Sequence, residues 1–474
     1  MDRKITSSLI TLILTFAYAS SSLSSTQISD IPNIEPIQKT DRILILTPHP
    51  DDESIGCAGI IQEALRKGAA LHIVYLTNGD NNQLAFIVYE KRLTFKKGEF
   101  IHMGQVRRKE AIDTMQALGL DEENLIFLGY PDFGTFAIFM RHWQDAPAFK
   151  SLLTKVSSVP YKENFSFGKP YKGESILEDL KNIIKKYKPN KIFVSHPADT
   201  NGDHRALYLF LQIALGDLNK ELPAPKVYPY LIHCIGWPLP RRYHPELYLL
   251  PPPQFADSAI SWSQYLLSQE ELDKKYKAIG FYKSQTESSA FYLFSFARKN
   301  ELFGDYPAIE LNLSNRSGES AINGDSDSFF DVSDTYYKDI GTESLPDAQR
   351  VVKGQGYVNY GLGDDSLLIR ITKSKELKRH FGIMLYLFGY SSKTPFGRMP
   401  KIRIIIKANK FNVFDANKMI KPEGIALELN ARGFILKVPF KILGEPDFIL
   451  SSMKTYAGIL PIDTVGFRKI NIRR

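Results

Sequence analysis

The sequence predicts an α/β, doubly wound and mostly parallel sheet of Rossmann-like type, followed by an all-β sandwich. Three observations carry this reading. Between Asp41 and about Phe303, apolar runs of strand length alternate with stretches of helical periodicity. Around Leu311 to Ser328 the composition shifts to Asn, Ser, Gly and Asp, and beyond it short strand-like runs are separated by Gly-containing turns. The chain has 474 residues, too many for one small domain, and its 43% hydrophobic content suffices for a core in each unit.

In the first unit, Arg42 to Thr47 reads as a strand, Ser54 to Lys67 as a helix and Ala70 to Thr77 as a second strand. Gln105 to Leu118 is a helix closed by Gly119, and Leu125 to Leu128 is a short strand. Ile176, Leu177, Leu180, Ile183, Ile184 and Tyr187 recur at helical spacing, and Pro189 ends that helix before the strand Lys191 to Ser195. A helix from about Asp203 to Leu218 and a strand from Lys226 to Cys234 follow. Two connectors are long, Asn78 to Gly104 and the aromatic-rich Tyr130 to Glu174; such segments carry function or added structure. In the second unit, Ser366 to Ile371, Phe381 to Phe388, Ile402 to Ala408, Ile425 to Leu429 and Gly433 to Val438 read as strands. The expected domains are 40–305 for the α/β unit, 306–325 for a linker and 326–474 for the sandwich.

Arg3 and Lys4 precede the apolar-rich stretch Ile5 to Phe16, and Ala17-Tyr18-Ala19 has the small-x-small pattern of a cleavage site. Residues 1–19 are therefore expected to be a signal peptide, and the mature protein to be exported, periplasmic or secreted. The stretch falls short of the ~20 residues that span a bilayer, so no stable transmembrane span is expected after cleavage. The 60 Lys and Arg give a net charge of +8, but they are spread along the chain without a nucleic-acid motif, and no nucleic-acid partner is expected. Two cysteines, Cys57 and Cys234, do not make a disulfide scaffold; two buried thiols are expected.

The chemistry lies where two strands end. His49-Pro50-Asp51-Asp52-Glu53 follows the first strand, and Asp199-Thr200-Asn201-Gly202-Asp203-His204 follows Lys191 to Ser195. In an open α/β sheet, ligands bind at the carboxyl ends of the strands, so these two turns converge although ~150 positions separate them. Two histidines and adjacent carboxylates meet the needs of a catalytic zinc site: three protein ligands, an open position, and a spare carboxylate for the proton. His49, Asp52 and His204 are assigned as metal ligands and Asp51 as the candidate base. The bland alternatives are helix capping for Asp51 and Asp52, and a surface histidine at a helix start for His204. It is their joint occurrence at two strand exits that favours the metal.

Together with Asn78-Gly79-Asp80, Arg107 to Glu110, Leu128-Gly129-Tyr130-Pro131-Asp132, Asp203-His204-Arg205-Ala206, Lys277 and Tyr282-Lys283-Ser284-Gln285, these motifs resemble the PIG-L/LmbE family of metal-dependent N-deacetylases over about residues 40–303. The resemblance implies hydrolysis of an N-acetyl group on an acetylated amino sugar or glycan, zinc as the usual metal with iron as another occupant, ligands His49, Asp52 and His204, and Asp51 as general base. One departure stands out. Many family members carry a histidine three residues before the liganding one, where it protonates or stabilises the tetrahedral intermediate; here that position is Asn201, which cannot shuttle a proton. Either Asp51 serves as both base and acid, or another histidine does the second job. His196 and His233 both lie at strand exits; His233 is the favoured candidate, with a satisfied core histidine as the alternative. The second unit more loosely resembles carbohydrate-binding sandwiches through Ile322-Asn323-Gly324-Asp325 and Ser451 to Arg468. The competing functional reading is an exported carbohydrate-binding or envelope-associated protein that keeps the metal site with little catalysis. A nucleotide-binding Rossmann enzyme is disfavoured, because no glycine-rich phosphate loop follows the first strand.

Overall fold

Buried apolar strands set the frame, and their order decides where a ligand can sit. In chain order the first unit runs β1 (Arg42–Thr47), α1 (Asp52–Lys67), β2 (Ala70–Thr77), α2 (Gln83–Glu90), α3 (Lys97–Leu118), β3 (Leu125–Tyr130), α4 (Thr135–Arg141), α5 (Gly173–Tyr187), β4 (Lys191–Ser195), α6 (Gly202–Leu218), β5 (Lys226–Tyr230), β6 (Ser261–Leu266), α7 (Gln269–Phe281), α8 (Lys283–Leu293) and β7 (Asn300–Asp305). The computed structural model describes residues 30–91, 96–255, 258–312, 330–337, 356–372, 381–407, 410–430, 433–457 and 460–473. The expected signal peptide and the Ile322 to Asp325 motif lie outside them.

The sheet order is β3-β2-β1-β4-β5-β7-β6. The pairs from β3 to β5 are parallel, whereas β7 pairs antiparallel with β5 and with β6. From β1 the chain steps outward through β2 and β3, then returns to β4 on the other side. The crevice between the carboxyl ends of β1 and β4 is the switch point of this topology. Ile43 and Ile45 point into one buried layer and Leu44 and Leu46 into the other, as expected of a strand covered on both faces.

Several bounds differ from expectation for physical reasons. α3 begins at Lys97, two turns before Gln105, because Phe100 and Met103 are buried against Tyr89 and Leu153. α2 and α4 occupy the two long connectors. The strand expected over Lys226 to Cys234 stops at Tyr230, since the N–H groups of Ile232 and His233 donate to Asp199 Oδ2 instead of to a sheet neighbour. Both cysteines are free and buried.

The second unit is all β: β8 (Ile309–Asn312), β9 (Phe330–Tyr337), β10 (Gly356–Leu362), β11 (Ser366–Thr372), β12 (Phe381–Tyr390), β13 (Lys401–Lys407), β14 (Lys410–Asp415), β15 (Lys418–Ile420), β16 (Ala426–Asn430), β17 (Gly433–Pro439), β18 (Phe448–Ala457), β19 (Leu460–Thr464) and β20 (Arg468–Arg473). One sheet runs β16-β17-β11-β10-β9; the other runs β15-β14-β13-β12-β18-β20-β8, with β19 on β18. β8, within the segment expected as a linker, pairs parallel with β20.

The period-two alternation of β12 explains how the units join. Ile383, Leu385 and Leu387 enter the core between the two sheets, while Tyr386, Phe388 and Tyr390 face the α/β unit. There Phe139 packs edge-on against Phe388 at 5.4 Å, and Trp143 against Phe396 at 5.2 Å. Gly216 of α6 allows the close approach, because a Cβ there would lie 2.9 Å from the Tyr390 ring.

Candidate metal centre

The turn after β1 is held by hydrogen bonds from threonines at the two strand ends and by its own acids. Thr47 Oγ1 donates to His49 O at 2.8 Å, and the Thr77 N–H and Oγ1 both donate to Pro48 O at 3.0 Å. The His49 N–H donates to Asp52 Oδ2 at 3.0 Å. Asp51 stands at the N-terminus of α1 with φ of 124°, outside the regions an aspartate adopts at ease, and its side chain makes no cap bond. Capping therefore does not account for Asp51. Its carboxylate lies 3.4 Å from Arg107 Nη2, and that guanidinium also donates to Pro50 O and Gly79 O. Gly79 has to be glycine: φ is 68°, and a Cβ would fall 2.1 Å from Arg107 Nη1.

The turn after β4 supplies the other half. Asn201 caps α6, its Oδ1 accepting the Asp203 N–H at 2.8 Å. Ser195 Oγ donates to His204 O, which ties the first turn of the helix to the strand end. In this arrangement Asp52 Oδ2 lies 3.1 Å from His49 Nδ1 and 3.2 Å from His204 Nε2. The trio is buried, with its donor atoms within 4.8 Å of one another.

The remaining ring nitrogens meet carboxylates to which the sequence reading gave no individual role. His49 Nε2 is 3.1 Å from Asp132 Oδ1 and 3.4 Å from Asp203 Oδ2, and His204 Nδ1 is 3.1 Å from Asp199 Oδ2. These acids are themselves anchored. Asp203 accepts from the Phe133 and Thr135 N–H groups and from Thr135 Oγ1; Asp132 accepts from the Asn81 N–H; Asp199 accepts from the N–H groups of Asn201, Ile232 and His233. A carboxylate behind each imidazole is the usual support of a metal-ligating histidine. The signal was in the sequence, since Asp132, Asp199 and Asp203 all lie just past strand ends, but acids there are common.

The electrostatics favour a cation between these groups. Burial pulls His49 down, but Asp132, Asp203 and Asp52 outweigh it and raise its pKa well above the ordinary imidazole value. Burial likewise opposes His204, and Asp199 and Asp52 raise it to about 9. Asp52, despite its burial, is held well below the carboxylate range by His204 and His49. Both ring nitrogens of His204 are buried, and neither makes a hydrogen bond of good geometry. A field that would keep protons on both imidazoles equally favours a divalent cation, and the two-nitrogen, one-oxygen donor set fits a borderline metal of the zinc type. Asp51 differs: burial raises it to about 8, with Arg107 acting against the rise.

The two other histidines separate. The His233 ring lies 4.7 Å from that of His204, edge-on, and 6.1 Å from Tyr292. His196 turns away, stacking 5.9 Å from Trp262 while its Nδ1 accepts the Ala198 N–H; burial lowers its pKa to about 4. Behind the first turn, the Tyr282 hydroxyl donates to Glu53, and the Ser284 N–H and Oγ donate to Glu110. Lys277 is exposed; the buried lysine of α7 is Lys275, paired with Glu301 at 2.8 Å.

Residues 44–215 match a family described as PIG-L, GlcNAc-PI de-N-acetylase. That segment holds both halves of the centre and supports a hydrolase of the deacetylase type. A glucosamine-6-phosphate deaminase-like protein of Bacteroides thetaiotaomicron is 23% identical over 273 residues, 53% of this chain; the chain spans only 36% of that relative's length. Among solved structures, the N,N'-diacetylchitobiose deacetylase of Pyrococcus horikoshii is 18% identical, covering 56% of this chain and 84% of its own at a TM-score of 0.34. A zinc-inhibited form of the teicoplanin deacetylase Orf2 is 14% identical, covering 56% and 97% at a TM-score of 0.36. The 4-carboxy-2-hydroxymuconate hydratase GalB from Pseudomonas putida is 17% identical, covering 57% and 98% at 0.36.

Proposed function

We propose that this chain, whose residues 44–215 form a PIG-L family domain, is an exported, metal-dependent N-deacetylase that removes the acetyl group from an amino sugar or glycoconjugate. The observation that carries the reading is the buried trio His49, Asp52 and His204, with an anchored carboxylate behind each imidazole. His49 Nδ1, Asp52 Oδ2 and His204 Nε2 would hold the metal, zinc in the first instance and iron as the other occupant. A metal held there would supply Lewis acidity, which would polarise the acyl carbonyl and favour attack by water near neutral pH.

The chain's own residues supply the rest. Asp51, in the ionised form that the neighbouring Arg107 favours against burial, takes the proton of the water that attacks the acyl carbon. The same proton then passes to the nitrogen as the carbon–nitrogen bond breaks, leaving acetic acid and a free amine, which ionise to acetate and ammonium. Asn201 commits its carbonyl to the α6 cap, so it has only amide N–H groups to offer the developing oxyanion. His233, against the His204 ring, takes the place of the absent motif histidine on that side of the pocket.

Acetate release from N-acetylglucosamine oligomers, measured with metal-loaded, chelator-treated and Asp51→Asn protein, tests the reading. Activity is expected only in the loaded wild type. Loaded protein that releases no acetate from a broad panel of acetylated glycans would instead favour a binding protein that retains the metal, the reading that Asn201 motivates. Export rests on the segment from Arg3 to Ala19, and a mature N-terminus at Ser20 is its expected readout.

A further inference from the structure

The seam between the two units gathers a cluster of basic side chains that the proposed chemistry does not use. Arg205, next to His204, is 6% exposed, and its Nε has no hydrogen-bond partner. Its Nη2 reaches Thr200 O only at 3.5 Å, and its guanidinium lies 5.4 Å from the centre of the Phe136 ring. Phe136 packs edge-on against Tyr386 at 6.1 Å. From the sandwich, Lys454 Nζ lies 5.8 Å from the same Tyr386 ring, and Arg403 is the cross-strand neighbour of Tyr386. Arg403 Nε is also buried without a hydrogen-bond partner, its guanidinium lying 4.9 Å from the centre of the Phe414 ring. The charges of Arg403, Arg205 and Arg141, the last exposed at the end of α4, all bear on the Tyr386 hydroxyl.

Among the described residues, little negative charge acts on Arg205 and Lys454. The carboxylate acting on Arg205 is Asp199, already engaged with His204 and three backbone N–H groups. Around Lys454 the principal influences are burial and the like charge of Arg205. Buried guanidinium nitrogens without acceptors are costly, and an added anion with several oxygens would relieve the cost at more than one of them.

We propose that this cluster, Arg205, Arg403 and Lys454 around Tyr386 with the charge of Arg141 bearing on it, is an oxyanion-binding site that takes phosphate or a phosphate monoester. Guanidinium forks match tetrahedral oxygens, and the lysine adds a point charge. The site needs both units, since Tyr386, Arg403 and Lys454 come from the sandwich and Arg205 and Arg141 from the α/β unit. It adjoins the centre, because Arg205 follows a proposed ligand and α4 begins just past Asp132.

The test uses full-length protein stripped of metal by chelator, so that its outcome is independent of deacetylation. Titration calorimetry with inorganic phosphate and with phenyl phosphate is compared with sodium chloride at matched ionic strength. Saturable phosphate binding is expected in the wild type, at least tenfold weaker in the double variant Arg403→Gln/Lys454→Gln and in Arg141→Glu. The melting temperature in chloride shows that each variant is folded, and Arg141→Glu changes only an exposed side chain. Binding of the ester as tight as that of phosphate assigns the site to a phosphate carried by a larger molecule; exclusion of the ester assigns it to the free ion. Chloride acting as strongly as phosphate, or both variants binding like the wild type, overturns the proposal. Absence of acetate release with phosphate binding intact would count against the deacetylase reading alone.

Discussion

Asp203→Asn is the substitution that best separates a supporting carboxylate from a merely buried one. Asp203 Oδ1 accepts the Thr135 N–H and Oγ1 at 3.0 and 2.5 Å, and Oδ2 accepts the Phe133 N–H at 2.5 Å while lying 3.4 Å from His49 Nε2. An asparagine keeps one acceptor oxygen and turns an NH2 group toward donors on the other side. At least one charge-assisted bond is lost, about 1.5–3 kcal/mol for the metal-free fold. The His49 ring also loses part of its support, and losses of this kind cost about 10–100-fold in metal affinity, or about 1.4–2.8 kcal/mol. Urea unfolding of chelator-treated protein reads the first quantity, and competition with a chromogenic zinc chelator reads the second. Thr135→Val is the control: it removes one hydroxyl bond, with about 1 kcal/mol of stability lost and metal affinity within twofold of wild type. Wild-type metal affinity in Asp203→Asn would refute the argument that this carboxylate orients His49.

Other outcomes follow from the same geometry. Lys275→Met leaves the Glu301 charge buried without its counter-ion, held only by the Gly59 and Ile60 N–H groups of α1, and an unfolding titration should show about 3–5 kcal/mol lost; Lys275→Met/Glu301→Leu should recover part of it. Steady-state kinetics of loaded enzyme should show His233→Ala depressing kcat and His196→Ala leaving it near wild type while lowering Tm, because His196 packs on Trp262; equal turnover in both would remove His233 from the chemistry. Burial pushes the Lys401 amine down to about 7, so between pH 7 and its ordinary value near 10 the unfolded chain binds more protons than the folded one. Stability from this group should thus fall as pH drops from about 10 toward 7, by at most about 1.4 kcal/mol per unit, and Lys401→Met should flatten that part of the profile. A variant with an unchanged slope would show that the carbonyls of Phe396 and Met399, both 2.7 Å from Nζ, keep the amine charged.

Much of the first unit could be read from its sequence because buried parallel strands are short apolar runs with abrupt ends. Arg42–Thr47, Ala70–Thr77 and Lys191–Ser195 fall where the runs do. The start of α3 could not be read that way: Lys97 to Gly104 contains two glycines and little periodicity, and tertiary burial of Phe100 and Met103 decides it. His49, Asp52 and His204 stood out as unusual residues at strand exits, and the structure brings them together. The roles of Asp132, Asp199 and Asp203 emerge only in the folded chain, because they depend on which ring nitrogen each one faces. Lys275 was legible by spacing, since Leu272, Lys275, Ala278 and Ile279 share the buried face of α7, whereas family resemblance had drawn attention to exposed Lys277.

The aromatic layer shared by the two units bears on how the chain can be handled. Phe139, Trp143 and Phe210 lie in one continuous cluster with Tyr386, Phe388, Phe396, Phe448 and Phe467. Cutting the chain near Asp305 would lay that layer open to water on both fragments, and large exposed apolar faces of this sort drive aggregation. Calorimetric melting of the intact protein is accordingly expected to give one transition, and activity should disappear at the temperature at which the sandwich melts. For expression and for crystallisation, the α/β unit and the sandwich are a single object.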